Sequence, residues 1–390
     1  MLYYFLIWLE QTYQPPGFQM FHFITVRVAL AAVTALLISL LFGRRMIGWL
    51  QHRQFGETVR SGVDAGAVDH SHKRGTPSMG GIIILASVLG ATLLWGAIAE
   101  MAIILAMLAT LWMGGFGFAD DYIKIVKKNK AGLAGRTKLA GQFSIGLVVG
   151  YVLYFHNPFD KSNDNVQTIT NLPFVKDRVF DYFPDTLAAT LGFDLGWLVY
   201  LGIVVFIMMA VSNAVNLTDG LDGLAGGVSA FVAAGLVVFC YVAGNAKYAN
   251  FLGILHLPGA GELTVFAAAL AAACMGFLWY NSHPAQVFMG DTGSLALGAA
   301  IATLALMVKT ELLLPLLCSV FFMETISVIL QTSYFKYTKK RYGEGRRIFK
   351  MAPLHHHFEA LGLKETKIVT RFWIITAISV IMSLLTLRIR

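Results

Sequence analysis

Residues 101–130, which read MAIILAMLATLWMGGFGFADDYIKIVKKNK, decide the fold of this chain. The segment Met101–Phe118 is apolar. Its length is close to the about 20 residues that an α-helix needs to cross a bilayer. It ends at two adjacent carboxylates, Asp120 and Asp121, and a run of lysines follows them. The pattern predicts a membrane-spanning helix whose end carries charged groups.

The composition of the whole chain agrees with a membrane protein. Of its 390 residues, 57% are hydrophobic and 13% are charged, whereas soluble domains average about 45–50% and about 25%. The mean hydropathy is +0.66. Because apolar segments recur from end to end, we expect one integral membrane domain over residues 1–390 rather than two or three soluble domains.

Ten segments have the length and apolar character of a membrane span, and they predict an all-α, polytopic helical bundle. They are Phe21–Phe42, Met79–Ala97, Met101–Phe118, Leu139–Phe155, Trp197–Ala214, Leu224–Val242, Leu263–Tyr280, Ser294–Val308, Leu312–Phe335 and Val369–Leu387.

The basic residues lie mainly in the loops of one side. Loops Gly43–Ser78, Ala119–Lys138 and Lys336–Ile368 hold six, six and nine Lys and Arg residues, and the loops of the other side together with the C-terminal end hold seven. Cytoplasmic loops carry the excess of Lys and Arg. The count therefore predicts that both termini are periplasmic.

The same alternation places two acidic loops on the cytoplasmic side. Loops Val215–Gly223 and Asn281–Gly293 are short, rich in Asp, Asn and Gly, and contain no Lys or Arg. The polar features of the chain are therefore expected to meet on one face of the membrane.

The first polar feature is the pair Asp120 and Asp121. A carboxylate at the edge of the hydrocarbon is costly unless it is solvated, paired or bound to a metal. A functional site is one interpretation, and a solvated helix end with ion pairs to Lys124 is the other. Adjacent helical side chains point about 100° apart, so the two carboxylates need not share a role. The nearby glycines, Gly114–Gly117, predict close helix packing.

The second feature is NAVNLTDGLDG at residues 213–223. Asn213, Asn216, Asp219 and Asp222 recur every three residues, so a continuing helix would align them in one polar stripe. A capped loop between two helices is the alternative. The absence of a compensating Lys or Arg favours a functional site.

The third feature is FMGDTGS at residues 288–294. Asp291 lies just before a predicted helix N-terminus, where N–H groups can hold phosphate and a carboxylate can hold Mg²⁺ together with substrate phosphates. Helix capping by Asp291 or Thr292 is the alternative. Phe288 and Asn281 lie just upstream and are suited to stacking on a base and hydrogen-bonding to it.

The fourth feature is PLHHHFE at residues 353–359, in the most basic loop. Three consecutive histidines do not comfortably ligate one metal, but His355, His356 and His357 can hold phosphate oxygens near neutral pH. A solvated loop with idle histidines is the alternative.

Two further charges, Glu324 and Arg27, lie inside predicted spans. An intramembrane charge suggests a functional site by default. An internal hydrogen bond or a helix break, or snorkelling in the case of Arg27, stays open as an alternative.

The motifs FADD, NLTDGLDG, FMGDTGS and PLHHHFE, in this order, resemble those of the polyprenyl-phosphate N-acetylhexosamine-1-phosphate transferases. KRGTPSMGG at Lys73–Gly81 and the unbroken His355–His357 triplet resemble the branch that uses a muramoyl-peptide sugar. The resemblance covers nearly the whole chain. It implies Mg²⁺-dependent transfer of phospho-MurNAc-pentapeptide from its UDP carrier to undecaprenyl phosphate, with lipid I and UMP as products. This is the first membrane step of peptidoglycan synthesis, on the cytoplasmic face of the bacterial inner membrane.

The resemblance also implies roles for individual residues and partners. Asp120, Asp121 and Asp291 would be catalytic, and Asp291 would bind the metal. The residues implied to bind substrate are Lys124, Lys138, Asn213, Asn216, Asp219, Asp222, Asn281, Phe288, His355, His356 and His357, with Phe288 and Asn281 at the uracil. The implied partners are UDP-MurNAc-pentapeptide, undecaprenyl phosphate, membrane lipids and a second copy of the chain in a homodimer.

Three other functions stay open. One is a sister transferase that uses UDP-N-acetylglucosamine. Another is an ion-coupled transporter, although transporters place acidic groups near the bilayer midplane, whereas these aspartates lie at span ends. The third is a lipid-binding scaffold without chemistry, which the five aspartates on one face do not favour. The net charge of +8 does not favour a nucleic-acid partner, because topology and small anionic substrates account for basic residues between apolar segments.

Overall fold

The computed structural model describes residues 1–52, 75–129, 131–159, 167–175, 178–191 and 193–388. The described helices are α1 (Leu2–Tyr13), α2 (Ile24–His52), α3 (Gly81–Trp95), α4 (Met101–Ile125), α5 (Gly135–Tyr151), α6 (Asp185–Leu191), α7 (Gly196–Thr218), α8 (Leu224–Ala243), α9 (Ala246–Leu252), α10 (Leu263–Asn281), α11 (Gly290–Met307), α12 (Leu314–Leu317), α13 (Ser319–Tyr342), α14 (Leu354–Ala360) and α15 (Glu365–Leu385).

The predicted all-α polytopic bundle is confirmed. Among the described residues, eight helical segments are long and apolar enough to cross a membrane, and a ninth candidate is the pair Glu311–Leu317 and Ser319–Tyr342, which is bent by 82°. The remaining predicted span corresponds to α3, which has 15 residues. At 1.5 Å per residue it is about 22 Å long, shorter than the about 30 Å hydrocarbon core.

Several spans extend beyond their predicted ends. Helix α2 continues to His52, α4 to Ile125 and α7 to Thr218. Hydropathy finds the part of a helix that lies in hydrocarbon, whereas backbone hydrogen bonding continues into the polar interface. The predicted loop ends at Gly43, Ala119 and Val215 are therefore wrong, and the acidic residues of α4 lie on a helix.

Two helices form the centre of the bundle. Within their most apolar stretches, 89% of the residues of α11 and 78% of those of Ala260–Asn281, the span that contains α10, are buried, compared with 22% in α2. Small residues permit this packing, because they let helix backbones approach closely. A Cβ on Gly298 of α11, for example, would lie 2.5 Å from the Cα of Ser212 in α7. The start of α11, which carries Asp291, is thus surrounded by other helices.

A small hairpin covers the opposite end of α11. Strands β1 (Ile169–Asn171) and β2 (Val179–Asp181) pair antiparallel, a minor addition to the all-α fold. The carbonyl of Lys309 accepts hydrogen bonds from Thr170 Oγ1 and Asn171 Nδ2, both at 3.0 Å. Burial lowers the pKa of the Lys309 side chain to about 8. The hairpin therefore joins α11 through a basic residue that is sheltered from water.

Arg27 forms an internal ion pair. Its two terminal nitrogens each lie 2.6 Å from a carboxylate oxygen of Glu262, the residue directly before α10. The guanidinium carbon also lies 4.3 Å from the ring centroid of Tyr3. Only 2% of the Arg27 side chain is exposed, so it is paired rather than snorkelling, and it joins α1, α2 and α10.

Replacing Arg27 with Met should destabilise the protein by about 3 kcal/mol, because removing one partner of a buried ion pair leaves the other charge uncompensated. Thermal unfolding in detergent measures the loss. The double variant Arg27→Met/Glu262→Met should recover part of it. A single variant as stable as the unmodified chain would show that the pair does not stabilise the bundle.

Candidate active site

Asp121 caps the N-terminus of α11 from a neighbouring helix. Its two carboxylate oxygens accept the N–H of Asp291 at 3.1 Å, the N–H of Thr292 at 2.9 Å and the hydroxyl of Thr292 at 2.6 Å. The first N–H groups of a helix have no partner within the helix. Met289, the residue before α11, provides no side-chain cap. Asp121 thus accepts hydrogen bonds from N–H groups that have no partner within α11. A negative charge at this position also interacts favourably with the positive end of the helix dipole.

Glycines permit this contact between α4 and α11. A Cβ on Gly117 would overlap the backbone of Asp291, and a Cβ on Gly114 would press on Leu85 of α3. Gly290 has a φ of 70°, and a Cβ there would lie 2.6 Å from Asp121 Oδ2. The predicted close packing at Gly114–Gly117 is confirmed.

Asp120 points in a different direction and is fully buried. Its Oδ1 accepts the N–H of Leu133 at 2.6 Å. Its Oδ2 lies 2.5 Å from Lys124 Nζ and 3.0 Å from Lys138 Nζ, although these contacts lack hydrogen-bond alignment. The loop after α4 therefore folds back so that Asp120 faces two ammonium groups.

Asp291 faces the same two lysines from α11. Its Oδ2 is paired with Lys138 and lies 3.3 Å from Lys124 Nζ. Its Oδ1 accepts the side-chain amide of Asn216, at the end of α7, at 2.9 Å. That amide also donates to Ser294 Oγ at 2.8 Å. Asp291 is the second residue of α11, not a residue before it, and its carboxylate faces other helices rather than capping its own.

These contacts bring together residues from four helices. Of the residues that the sequence analysis assigned to a site, Asp120, Lys124, Lys138, Asn216 and Asp291 lie next to one another here, and their roles stay predictions. One ligand oxygen from each of Asp120, Asp121 and Asp291 lies within 4.8 Å of the others. Carboxylate oxygens are the ligands that Mg²⁺ prefers, so the donor set fits a hard divalent cation.

The predicted polar stripe at residues 213–222 is wrong. Helix α7 ends at Thr218, so the periodicity stops before Asp222. Asn213 lies one turn inside the helix and forms an amide pair with Gln142 of α5, at 2.9 and 3.2 Å. Asp219 is the residue directly after α7. Asn216 contacts Asp291 through its side-chain amide.

Asp222 belongs to a second polar cluster, which the sequence did not predict. Its Oδ2 lies 3.1 Å from His283 Nδ1, and its backbone N–H donates to Glu365 Oε1 at 2.6 Å. His283 Nδ1 is also 3.6 Å from Glu365 Oε2. These three residues could hold a metal ion by spacing alone. The sequence signal for this cluster was His283, which lies in the acidic loop Asn281–Gly293.

Asn281 and Phe288 hold the surrounding loops. The amide of Asn281 accepts the N–H of Gly223 at 3.0 Å and donates to the carbonyl of Val287 at 2.8 Å. The backbone of Phe288 accepts the N–H of Gly80 at 2.8 Å and donates to the carbonyl of Pro77 at 2.8 Å. The TPSMGG part of the motif at 73–81 therefore packs on FMGDTGS. Lys73 and Arg74 lie outside the described residues, as do Arg53, Arg60 and Lys130 of the predicted basic loops.

The three histidines lie on α14, and the prediction of a loop there is wrong. Pro353 precedes the helix and starts it with its fixed φ. Successive helical side chains diverge, so each histidine has a different neighbour. His355 is buried beside Glu324, His356 Nδ1 lies 2.7 Å from Glu359, and His357 Nδ1 accepts the N–H of Lys350 at 3.1 Å.

Comparison with known proteins agrees with these motifs. A family model described as glycosyl transferase family 4 matches residues 102–309, and phospho-N-acetylmuramoyl-pentapeptide-transferase signature 1 matches residues 73–85. Similar curated proteins include the phospho-N-acetylmuramoyl-pentapeptide-transferases of Salinibacter ruber, 62% identical over 391 residues, and of Flavobacterium psychrophilum, 48% identical over 413 residues. The one from Chloroherpeton thalassium is 48% identical over 390 residues. Each alignment covers 100% of both chains.

Replacing Asp121 with Asn should lower the free energy of unfolding by about 1–2 kcal/mol, the usual cost of a lost helix cap. One acceptor oxygen becomes an NH₂ group that opposes the N–H groups of α11. Thermal unfolding measures the effect. Thr292→Val removes only the hydroxyl donor and should cost less. Unchanged stability in Asp121→Asn would contradict the capping role.

Proposed function

The chain belongs to the phospho-N-acetylmuramoyl-pentapeptide-transferases, and from this premise we propose how its residues carry out the transfer. The enzyme transfers phospho-MurNAc-pentapeptide from UDP-MurNAc-pentapeptide to undecaprenyl phosphate, which yields lipid I. The assignment of the site rests on four side chains that lie in contact at one end of the bundle: Asp120, Lys124, Lys138 and Asp291.

The chemistry of the substrates favours this location. One substrate is soluble and strongly anionic, and the other is a lipid whose phosphate lies at the membrane surface. Both phosphates must meet at a span end rather than at the midplane. Cationic groups must offset their charge, because phosphoryl transfer depends mainly on positioning and charge stabilisation. Lys124 and Lys138 supply two such groups.

We propose that Asp291 holds Mg²⁺, with Asp120 and Asp121 close by. The fit rests on carboxylate oxygens within 4.8 Å of one another and on the burial of Asp120 and Asp121. When bound, Mg²⁺ would neutralise phosphate charge and stabilise the charge that develops during transfer. Asn216 keeps the Asp291 carboxylate oriented through its hydrogen bond to Oδ1.

Lys124 and Lys138 would exchange carboxylate partners for phosphate oxygens when substrate binds. Asp120 would orient the lipid phosphate. A phosphate monoester has a second pKa of about 6, so it is largely dianionic at pH 7 and needs little help from a base. Asp120 would remove a proton only at lower pH. Asp121 would act by fixing the start of α11 and thereby the position of Asp291.

We propose a single displacement. An oxygen of the lipid phosphate attacks the sugar-linked phosphorus, a new P–O bond forms, and the P–O bond to the uridine phosphate breaks. The electron pair of that bond leaves with UMP. No covalent enzyme intermediate is needed, because the lipid phosphate is itself the nucleophile.

The nucleotide would lie beside the second cluster. Asp222 and Asn281 sit where the turn after α7 meets the loop before α11. We place the uracil against Phe288, with Asn281 at its edge. In the free chain the Asn281 side-chain amide forms hydrogen bonds to two backbone groups. To contact the uracil it would give up one of these hydrogen bonds, or neighbouring backbone groups would make that contact in its place. His355, His356, Asn213 and Asp219 would line the wider site, and His357 would lie at its edge.

The membrane arrangement is also part of the proposal. The bias of basic residues places the site on the cytoplasmic face of the inner membrane and both termini in the periplasm. The chain would act as one domain and associate as a homodimer. A transporter is not favoured, since the acidic clusters lie at span ends, and the relatives at 46–62% identity carry the name of the pentapeptide transferase rather than that of the N-acetylglucosamine enzyme.

Replacing Asp291 with Asn should reduce Mg²⁺-dependent UMP release by about 10³-fold or more, since loss of a group that stabilises transition-state charge costs about 10²–10³ and the metal ligand is lost as well. Release is followed with purified protein, UDP-MurNAc-pentapeptide and undecaprenyl phosphate. Asp194→Asn changes an exposed aspartate that caps α7 at its other end and should leave turnover unchanged. Near-normal activity in Asp291→Asn would refute the metal assignment.

Mixing the enzyme with UDP-MurNAc-pentapeptide and Mg²⁺ but no lipid, followed by rapid acid quench, should trap no phosphorylated protein. A direct displacement cannot begin without the lipid phosphate. Mass spectrometry of the digested chain is the measurement. An aspartate peptide that carries phospho-MurNAc-pentapeptide, formed at the rate of turnover with release of UMP, would replace the direct route with a covalent one.

A further inference from the structure

Glu324 is a fully buried carboxylate on α13, close to the 82° bend between the two parts of that span. A charge at this depth is costly unless it is paired. Its Oε1 has no hydrogen-bond partner among the described residues. Packing alone therefore does not account for a carboxylate here.

The neighbour of Glu324 is His355, on α14. His355 Nδ1 lies 3.3 Å from Glu324 Oε2, and the backbone N–H of His355 donates to the same oxygen at 3.4 Å. The His355 side chain is 1% exposed. One carboxylate oxygen thus accepts an N–H from the first turn of α14 and lies beside its first imidazole, although the contact with Nδ1 lacks hydrogen-bond alignment.

The other side of the imidazole faces the turn between α7 and α8. Gly220 lies there, and a Cβ on it would overlap His355 Nε2. Nε2 has no hydrogen-bond partner among the described residues. The turn follows directly after α7, whose Asn216 binds Asp291. A buried ring nitrogen without a partner is therefore aimed at the loop that borders the active site.

We propose that Glu324 is a positioning residue, which fixes His355 with Nδ1–H toward the carboxylate and Nε2 toward a phosphate-bearing substrate at the 219–223 turn. The inference rests on the proposed transferase mechanism and deepens it. A carboxylate on one nitrogen sets the tautomer and the ring orientation, and thereby decides which nitrogen meets the ligand. Glu324 acts through His355 and does not touch the reacting atoms.

Glu324→Gln is the decisive single variant, because it keeps the shape and one acceptor oxygen but removes the charge. We expect kcat to fall about 10–100-fold, the usual effect of losing such an outer partner, with little change in KM for UDP-MurNAc-pentapeptide. Glu324→Asp keeps the charge and should recover part of kcat. Wild-type kcat in Glu324→Gln would overturn the proposal.

Glu262→Gln is the matched control. It makes the same change in another carboxylate that is paired with a buried residue, Arg27, at the opposite end of the bundle. We expect a lower melting temperature and unchanged kinetic constants. If Glu262→Gln lowered kcat as much as Glu324→Gln, the effect would be general loss of structure, and the proposal would fail.

A double-mutant cycle with His355→Gln separates positioning from an independent role. If Glu324 works only through the imidazole, Glu324→Gln should add no further loss of kcat in the His355→Gln background. Fully additive losses would contradict the proposal. If turnover by His355→Gln is too slow to measure, ¹⁵N NMR of labelled histidine reports the tautomer of the His355 ring instead. In the unmodified chain we expect one tautomer, with the proton on Nδ1, and in Glu324→Gln a mixture of the two tautomers. An unchanged tautomer would contradict the proposal.

These outcomes are distinct from failure of the proposed function. If the unmodified chain released no UMP with UDP-MurNAc-pentapeptide, undecaprenyl phosphate and Mg²⁺, the transferase assignment would fail. If the unmodified chain released UMP and Glu324→Gln had the same kcat, only the positioning role would fail.

Discussion

The contact between the end of α4 and the start of α11 is the constraint on which the active site depends. Asp121 supplies the acceptors that α11 lacks within itself, and the absence of a side chain at Gly117 lets the two backbones meet. Because α11 is the most buried of the candidate spans in the described part of the chain, another helix supplies the partners of its first turn. With one aspartate of the pair used in this way, the other faces Asp291 across two lysines.

The charges of this cluster suit a site that exchanges partners. Two carboxylates, Asp120 and Asp291, face two ammonium groups, Lys124 and Lys138, and Asp121 lies close by. A divalent cation would offset part of the negative charge that the phosphates bring. The lysines can then turn to phosphate oxygens while the carboxylates turn to the metal. Each charged group of the cluster would thus keep a partner when substrate binds, which limits the cost of keeping charges at a membrane edge.

The sequence predicted the parts of this arrangement that follow from hydrophobicity and topology. Alternation of spans was enough to bring Asp120, Lys138, Asn216 and Asp291 to one end. It could not show that Asp120 and Asp121 have different partners, since that depends on the rotation of α4 against α11. It also aligned Asp222 with Asn213 and Asn216 in one helical stripe, whereas α7 ends at Thr218 and Gly223, with a φ of 80°, lies in the turn that follows. The pairing of Glu324 with His355 depends on how the chain after α13 returns α14 to that helix, which hydropathy does not show.

Binding of Mn²⁺ in place of Mg²⁺ tests the central claim most directly, because two separate clusters among the described residues have metal-ligand spacing. Electron paramagnetic resonance of free Mn²⁺ counts the ions that the purified chain removes from solution. We predict one bound Mn²⁺ per chain, lost in Asp291→Asn and kept in Asp222→Asn. The opposite result, with binding kept in Asp291→Asn and lost in Asp222→Asn, would place the metal in the other cluster and contradict the account.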